Sequence, residues 1–379
     1  MKKYLIILLA LCMVCSMFAG CGSNEPASTP AAAPGDAVST PDGGDNAVEW
    51  KKLNLSFATF QPETAVGNKN IYLLEEKINE RMDGAITFDY YYSGTLCSNV
   101  DTLDAVISGV ADIGYITIGN YPGRLALTSL FDQCGIVWNN TTAASSAMKE
   151  FIETMQPEEL DEVVCLLYSV STPGSIASVE PLRTFEDLKG VSMRSTSTTT
   201  AAVEAMGAVP MTIEWSECYE ALRNGMVDAL YTIPGACASS LIQEVAPYAT
   251  INPFYTTSYM YVMNKDVYES MPAEQQALFM ELINEVQAEY TNYYADNFDG
   301  DEKAQNYFHE IEELIFLEDE DLEKLEGAVG HLIDNYATEL DAKGVDGTGA
   351  LAFIRELADK YNEIYPAEDY NEYLKSFLD

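Results

Sequence analysis

Basic residues are scarce in this chain: 20 Lys and Arg stand against 60 Asp and Glu, for a formal net charge of −40. Binding nucleic acid requires cationic side chains that displace counterions from phosphates, so a nucleic-acid partner is excluded. The same deficit excludes adhesion to an anionic membrane surface through a basic patch. Histidine occurs only at His309 and His331. Neither sits in an HExxH, CxxC or EF-hand pattern, so no metal site is expected. A GxSxG elbow, a P-loop and a GxGxxG fingerprint are all missing. No catalytic constellation and no cofactor is therefore expected, and an enzyme is not indicated. The acid runs Glu158-Glu159 and 318–321 read as helix starts favoured by the macrodipole, not as paired catalytic acids.

Long apolar runs are also few. The one at residues 4–18 follows Lys2 and Lys3 and is short for a membrane span, which is the pattern of a targeting segment. It ends Phe18-Ala19-Gly20-Cys21, which resembles a bacterial lipobox and predicts a lipid on Cys21 after removal of residues 1–20. Residues 22–48 are rich in Ala, Pro, Gly, Ser and Thr and carry no base. Such a stretch buries no core and reads as a tether spanning roughly 30 Å. Of eight cysteines, Cys97, Cys134, Cys165, Cys218 and Cys237 belong to the folded part. They are scattered and odd in number, so buried thiols are the simplest reading, with one or two disulfides left open by the spacing.

What is present is a chain with 47% hydrophobic and 11% aromatic residues, enough for a sizeable core and two or three domains. Leu53, Leu55 and Phe57 alternate as in a strand, and Ile71, Leu74, Ile78 and Met82 recur at helical spacing until Asp83-Gly84. ITFDYYY reads as a strand, Asp101 can cap a short helix ended by Gly109, and ADIGYITI reads as a strand. This alternation predicts an α/β fold with a largely parallel sheet. A helix near 142–155 and a strand at 163–170 follow. A second set then begins: GVSMR, a helix over TTAAVEAMGA, PMTI, a helix over SECYEALRNG, and VDALYTI. YMYVMN returns as a strand. After Pro272 the apolar stripe Leu278, Leu282, Val286, Tyr290 predicts a helix running towards Glu312, roughly 50 Å long at 1.5 Å per residue. From Glu269 onward 29 acids face 6 bases, a solvated acidic face.

Four segments in order carry a more specific signal: SGTLCSNVDTLDAVISGVADIGY, PLRTFEDLKGVSMR, AMGAVPMTIEWSECYEALRNGMVDALYTIP and YVMNKDVYESMPAEQQALF. Together they resemble the extracytoplasmic solute-binding proteins of TRAP transporters, the DctP-like family, over about residues 53–305. The resemblance implies a two-lobed periplasmic-binding-protein-like fold of type II character, with a hinge and a long helix bridging both lobes. It assigns residues 49–171 and 258–297 to lobe I, and residues 172–257 and 298–379 to lobe II.

The implied function is capture of a small organic acid and its delivery to a TRAP membrane permease, from an extracytoplasmic position held by the lipid on Cys21. Service to a chemoreceptor or sensor kinase is the alternative, since the same cleft would suit it. Arg194 occupies the motif position that pairs with the ligand carboxylate in the family, and a guanidinium offers a planar two-point donor for it. Trp215 occupies the position of an aromatic packed on the solute. Thr232, beside Tyr231, stands where an asparagine often contacts ligand. Residues 171–175 lack the second arginine of some members, leaving the small and hydroxylated Ser171 and Thr172, and Ser197 follows Arg194. Cys97 replaces a common glycine. One arginine with hydroxyls around it implies a monocarboxylate.

Overall fold

The computed structural model describes residues 49–171, 174–296 and 307–366. The targeting segment, Cys21, the tether and Thr172 lie outside them. The first strand follows from alternation: in β1 (Leu53–Thr59) Leu55 and Phe57 are buried while Asn54 is exposed. Helix α1 (Lys69–Arg81) buries Ile71, Leu74 and Ile78 on one stripe. It stops where Asp83 and Gly84 adopt left-handed backbone, at φ 51° and 63°, a region that glycine enters without steric cost. Strand β2 (Ile86–Tyr91), helix α2 (Thr102–Ile107) and strand β3 (Ile113–Thr117) complete a unit in which β2, β1 and β3 lie parallel. Asp101 sits at the N-cap of α2, but its side chain accepts no amide of the helix: its carboxylate instead accepts from the Ser98 hydroxyl at 2.6 Å.

Helix α3 (Thr141–Met155), capped by the Asn140 side chain, leads to β4 (Val163–Val170). The acid pair before β4 starts a single 3-10 turn rather than an α-helix, and Glu159 accepts the Leu127 and Thr128 amides at 2.9 and 2.8 Å.

The chain then builds a second sheet from β5 (Gly174–Ser178), β6 (Ser192–Ser195), β7 (Val209–Thr212), β8 (Ala229–Thr232) and β9 (Tyr248–Asn252). Short helices α4 (Thr200–Ala205), α5 (Cys218–Arg223) and α6 (Pro234–Ser239) connect them. The chain re-enters the first sheet as β10 (Ser258–Asn264). The strand orders are β2-β1-β3-β10-β4 and, with β11 (Glu313–Ile315), β11-β9-β5-β8-β6-β7. Each sheet is parallel apart from one strand, in keeping with the largely parallel sheet expected from sequence. β10 is antiparallel to both β3 and β4, and β5 is antiparallel to β8 and β9. The reason is connectivity: β4 leaves the first sheet and β10 returns to it without a crossover helix, so the two run in opposite senses.

Helix α7 (Lys265–Glu269) is followed by α8 (Ala273–Asp296). Twenty-four residues reach about 36 Å, and the expected continuation to residue 306 lies outside the described residues. α8 is tied to the first sheet by two glutamines that imitate a neighbouring strand. Gln275 exchanges hydrogen bonds with the Lys51 backbone at 2.7 and 2.9 Å, and Gln287 does so with Tyr168 of β4 at 2.8 and 3.0 Å.

Helix α9 (Asp319–Val329) packs against α4 of the second sheet. Helices α10 (Leu332–Ala342) and α11 (Gly347–Ile364) return to the first sheet's side, where α11 packs on α3. Their stripe of Ile333, Ala337, Ile354 and Leu357 joins the apolar cluster of Ala147, Phe151 and Val170. Residues 332–364 thus lie against the first sheet, not with the second as the expected division had them. All five described cysteines are free. No described helix is long and apolar enough to cross a membrane.

Candidate functional site

Two chain segments cross between the sheets and pair with each other. Ser171 N donates to Thr257 O and Thr257 N to Ser171 Oγ, both at 2.9 Å, and Gly174 N donates to Tyr255 O at 2.7 Å. Ser171 is therefore a hinge residue whose hydroxyl accepts a crossing-strand amide. Next to this hinge Asp132 is fully buried and accepts Ser258 N at 2.6 Å. Burial pushes its carboxyl up to about 8.

On the other side of the hinge the strand ends of both sheets face one cavity, with an empty volume of about 350 Å³. Asn99 and Thr117 come from the first sheet's side, and Arg194, Trp215 and Thr232 from the second. Strand carboxyl ends are where open α/β sheets hold ligands. Arg194 is 7% exposed, on β6. Its Nε donates to Ile213 O at 3.1 Å, and its guanidinium lies 5.5 Å from the Trp215 ring centroid. A cation over an indole face is stabilised by about 0.5–2 kcal/mol. The Trp215 N–H is already used, donating to Ser240 Oγ at 3.0 Å, so its contribution here is a wall and a seat for the arginine. Among the described residues no ion pair includes Arg194. Glu214 feels its charge: burial raises that carboxyl, and the Arg194 charge lowers it by less.

The residues singled out from sequence separate here. Arg194, Trp215, Tyr231 and Thr232 line the cavity. Tyr231 is fully buried, stacked on Tyr255 at 4.4 Å, and its hydroxyl accepts from Asn252 at 2.7 Å. That hydroxyl is committed to the core, which leaves its ring to shape the wall. Ser197 is exposed and faces a groove beside Tyr336 instead; Thr196 takes the place expected of it. Thr172 lies outside the described residues.

Sequence reasoning missed Phe60, Asn99, Thr117, Thr257 and Tyr259, which also line the cavity. Their common signal is position: Phe60 directly follows β1, Thr117 ends β3, and Asn99 lies within the first motif. Asn99 Nδ2 donates to Thr117 Oγ1 at 3.0 Å. The sheets' two sides also bond directly, Thr198 N donating to Gly119 O at 3.1 Å. Gly119 is needed there, since a Cβ would stand 2.6 Å from Thr198 Oγ1 and 3.0 Å from Asp132 Oδ2.

Comparison with known proteins identifies the family and the fold. The family model for DctP, bacterial extracellular solute-binding protein family 7, matches residues 57–339. A solute-binding protein of Sulfitobacter sp. is 27% identical over 296 residues, 76% of this chain and 88% of that protein. A TRAP periplasmic solute-binding protein from Desulfovibrio salexigens, an open complex, superposes with a TM-score of 0.69 at 27% identity, covering 84% of this chain and 99% of that one. A TRAP solute-binding protein from Rhodoferax ferrireducens, in complex with copurified benzoate, superposes with a TM-score of 0.74 at 21% identity, over 83% and 99%.

Proposed function

Since the chain belongs to the DctP family of bacterial extracellular solute-binding proteins, we propose that it captures a small organic acid bearing one carboxylate and delivers it to a TRAP-type membrane permease. TRAP-type solute-binding proteins are extracytoplasmic receptors and not enzymes. The observation that carries the finer reading is Arg194: a buried guanidinium, seated on Trp215, without an ion-pair partner among the described residues, lining a cavity that both sheets enclose. Leaving such a charge buried and uncompensated is costly, and a ligand carboxylate relieves that cost with charge-assisted hydrogen bonds. The hydroxyls of Thr196, Thr232 and Thr257 around it suit a single anionic group better than two. The benzoate held by the Rhodoferax relative is an acid of this kind.

Lipid attachment at Cys21 belongs to the same reading. It rests on Lys2, Lys3, the apolar run and the Ala19-Gly20-Cys21 sequence, and it would keep the receptor beside its permease. So does a division into lobes that meet at residues 171–174 and 255–258, with residues 332–364 going to the first lobe.

A thermal-shift screen of organic acids on residues 49–379 tests the function, because a ligand that binds only the native state raises the melting point as ln(1 + [L]/Kd). Stabilisation by one or more monocarboxylates, lost in Arg194→Ala, is the expected result. Stabilisation by neutral solutes alone would overturn it.

A further inference from the structure

The Arg194 cavity does not end at its own walls. It shares Ala236 and Tyr259 with a second cavity of about 490 Å³ empty volume. Among the described residues no Lys, Arg, Asp or Glu lines this second space. Two polar atoms in its walls have no hydrogen-bond partner: Gln61 Oε1 and Thr141 Oγ1. Thr141 is 3% exposed and is the first residue of α3. A helix N-terminus directs the positive end of its dipole outward, so the surroundings of Thr141 favour an electron-rich atom. Gly67 completes the recess, because a Cβ there would lie 2.6 Å from Gln61 Oε1 and 2.8 Å from the Tyr115 hydroxyl. Phe60 lines the first cavity, Tyr115 the second and Tyr259 both, and their ring centroids are 5.4 to 6.3 Å apart.

Building on the reading of Arg194 as the carboxylate anchor, we propose that the ligand is a hydroxylated aromatic acid whose hydroxyl reaches the second cavity. Its carboxylate meets Arg194, its ring packs against the Phe60–Tyr115–Tyr259 cluster, and its hydroxyl donates to Gln61 Oε1 while accepting from the Thr141 hydroxyl. Both buried atoms then gain the partner they lack. A second carboxylate does not suit this end: among the described residues it would meet no cationic side chain, and its lone pairs would face the Gln61 carbonyl oxygen. A ligand ending in hydrocarbon would leave both atoms unsatisfied. Sites built to bond a hydroxyl reject analogues that lack one for this reason. Gln61 and Thr141 are in this account specificity-determining residues.

The test is calorimetry on residues 49–379 with matched pairs: benzoate, phenylacetate and phenylpropionate, each against its meta- and para-hydroxy derivative, and succinate as a diacid. At least one hydroxy acid should bind about tenfold or more tighter than its parent, the ratio that one hydrogen-bonded group supplies. Gln61→Leu and Thr141→Val, made singly, should each reduce that preference by weakening the hydroxy acid relative to its parent, and binding of the parent acid that persists in both shows that the variants fold. Arg194→Ala should weaken parent and hydroxy acid alike. Equal affinity within every pair, a preference that survives both variants, stronger binding of succinate, or no binding by any hydroxy acid would overturn the inference. If acids bind through Arg194 but show no hydroxyl preference, only this inference falls. If Arg194→Ala leaves acid binding intact, the underlying function falls with it.

Discussion

Arg194 is where the scarcity of bases matters. A net charge of −40 repels an anionic solute at long range, so affinity must come from a local, partly desolvated donor. Truncating that donor would strand the carboxylate of the proposed ligand, and Arg194→Ala should cost about 2–5 kcal/mol of binding, roughly 30-fold to several-thousand-fold in Kd. Arg194→Lys should recover only part, since an ammonium lacks the planar two-point geometry and would not sit on Trp215 in the same way. Calorimetry on the folded variants checks this, and Arg194→Ala within about threefold of wild type would remove the residue from the site. Arg194 and Trp215 are both legible in the sequence, because a motif marks them. Gln61 and Thr141 were not. Nothing in a sequence tells a glutamine with an unpartnered carbonyl from one of the many on a surface.

At the level of elements, α8 shows how a helix can complete a sheet. β4 is an edge strand, and the Tyr168 amide and carbonyl would lack partners under the helix. Gln287 supplies both. Gln287→Ala should leave them buried and unpaired and cost about 1–3 kcal/mol. Urea unfolding should show a lower midpoint at unchanged slope, and an unaltered midpoint would mean that water serves the strand equally well. The apolar stripe of α8 could be read from its spacing. The glutamines could not, because their partners, Lys51 and Tyr168, are far away in sequence.

The start of β10 carries a second consequence. Asp132 titrates at about 8 in the fold against an ordinary 3.8. Between those values the native protein keeps a proton that the unfolded chain has released. Stability therefore falls as pH rises through this window, by up to about 1.4 kcal/mol per pH unit. Tyr255, Tyr259, Tyr336 and Cys134 feel the Asp132 charge, but burial raises each of them and they stay neutral there. Asp132→Asn keeps an oxygen for the Ser258 amide and removes the titration. Melting temperature against pH should flatten between pH 4 and 8, and a slope equal to wild type would show that another group sets it.

Across the whole molecule, the two sheets approach each other beside the Arg194 cavity. The Thr198–Gly119 bond spans them, and Gly119 leaves no room for a side chain. Gly119→Ala should hold the two sides apart, giving a larger radius of gyration by small-angle scattering in saturating ligand and a weaker Kd. Thr198→Ala in that background should restore both, since it removes the 2.6 Å collision. Scattering identical to wild type would show that the added methyl is absorbed locally.

Local pattern was enough for much of this protein. Period-two and period-3.6 repeats placed most of the strands and helices, because each element buries one face and side-chain spacing records which. The shortage of bases and histidines excluded whole classes of partner, and the motif around Arg194 pointed to a carboxylate. Tertiary structure alone decided the sense of β10, the return of α10 and α11 to the first sheet, and the pairing of Ser171 with Thr257 between the sheets. It alone brought Gln61, Thr141 and Tyr259 to one cavity. These are outcomes of long-range closure: residues far apart in the chain become neighbours only after the hinge strands pair, and no local periodicity encodes that meeting.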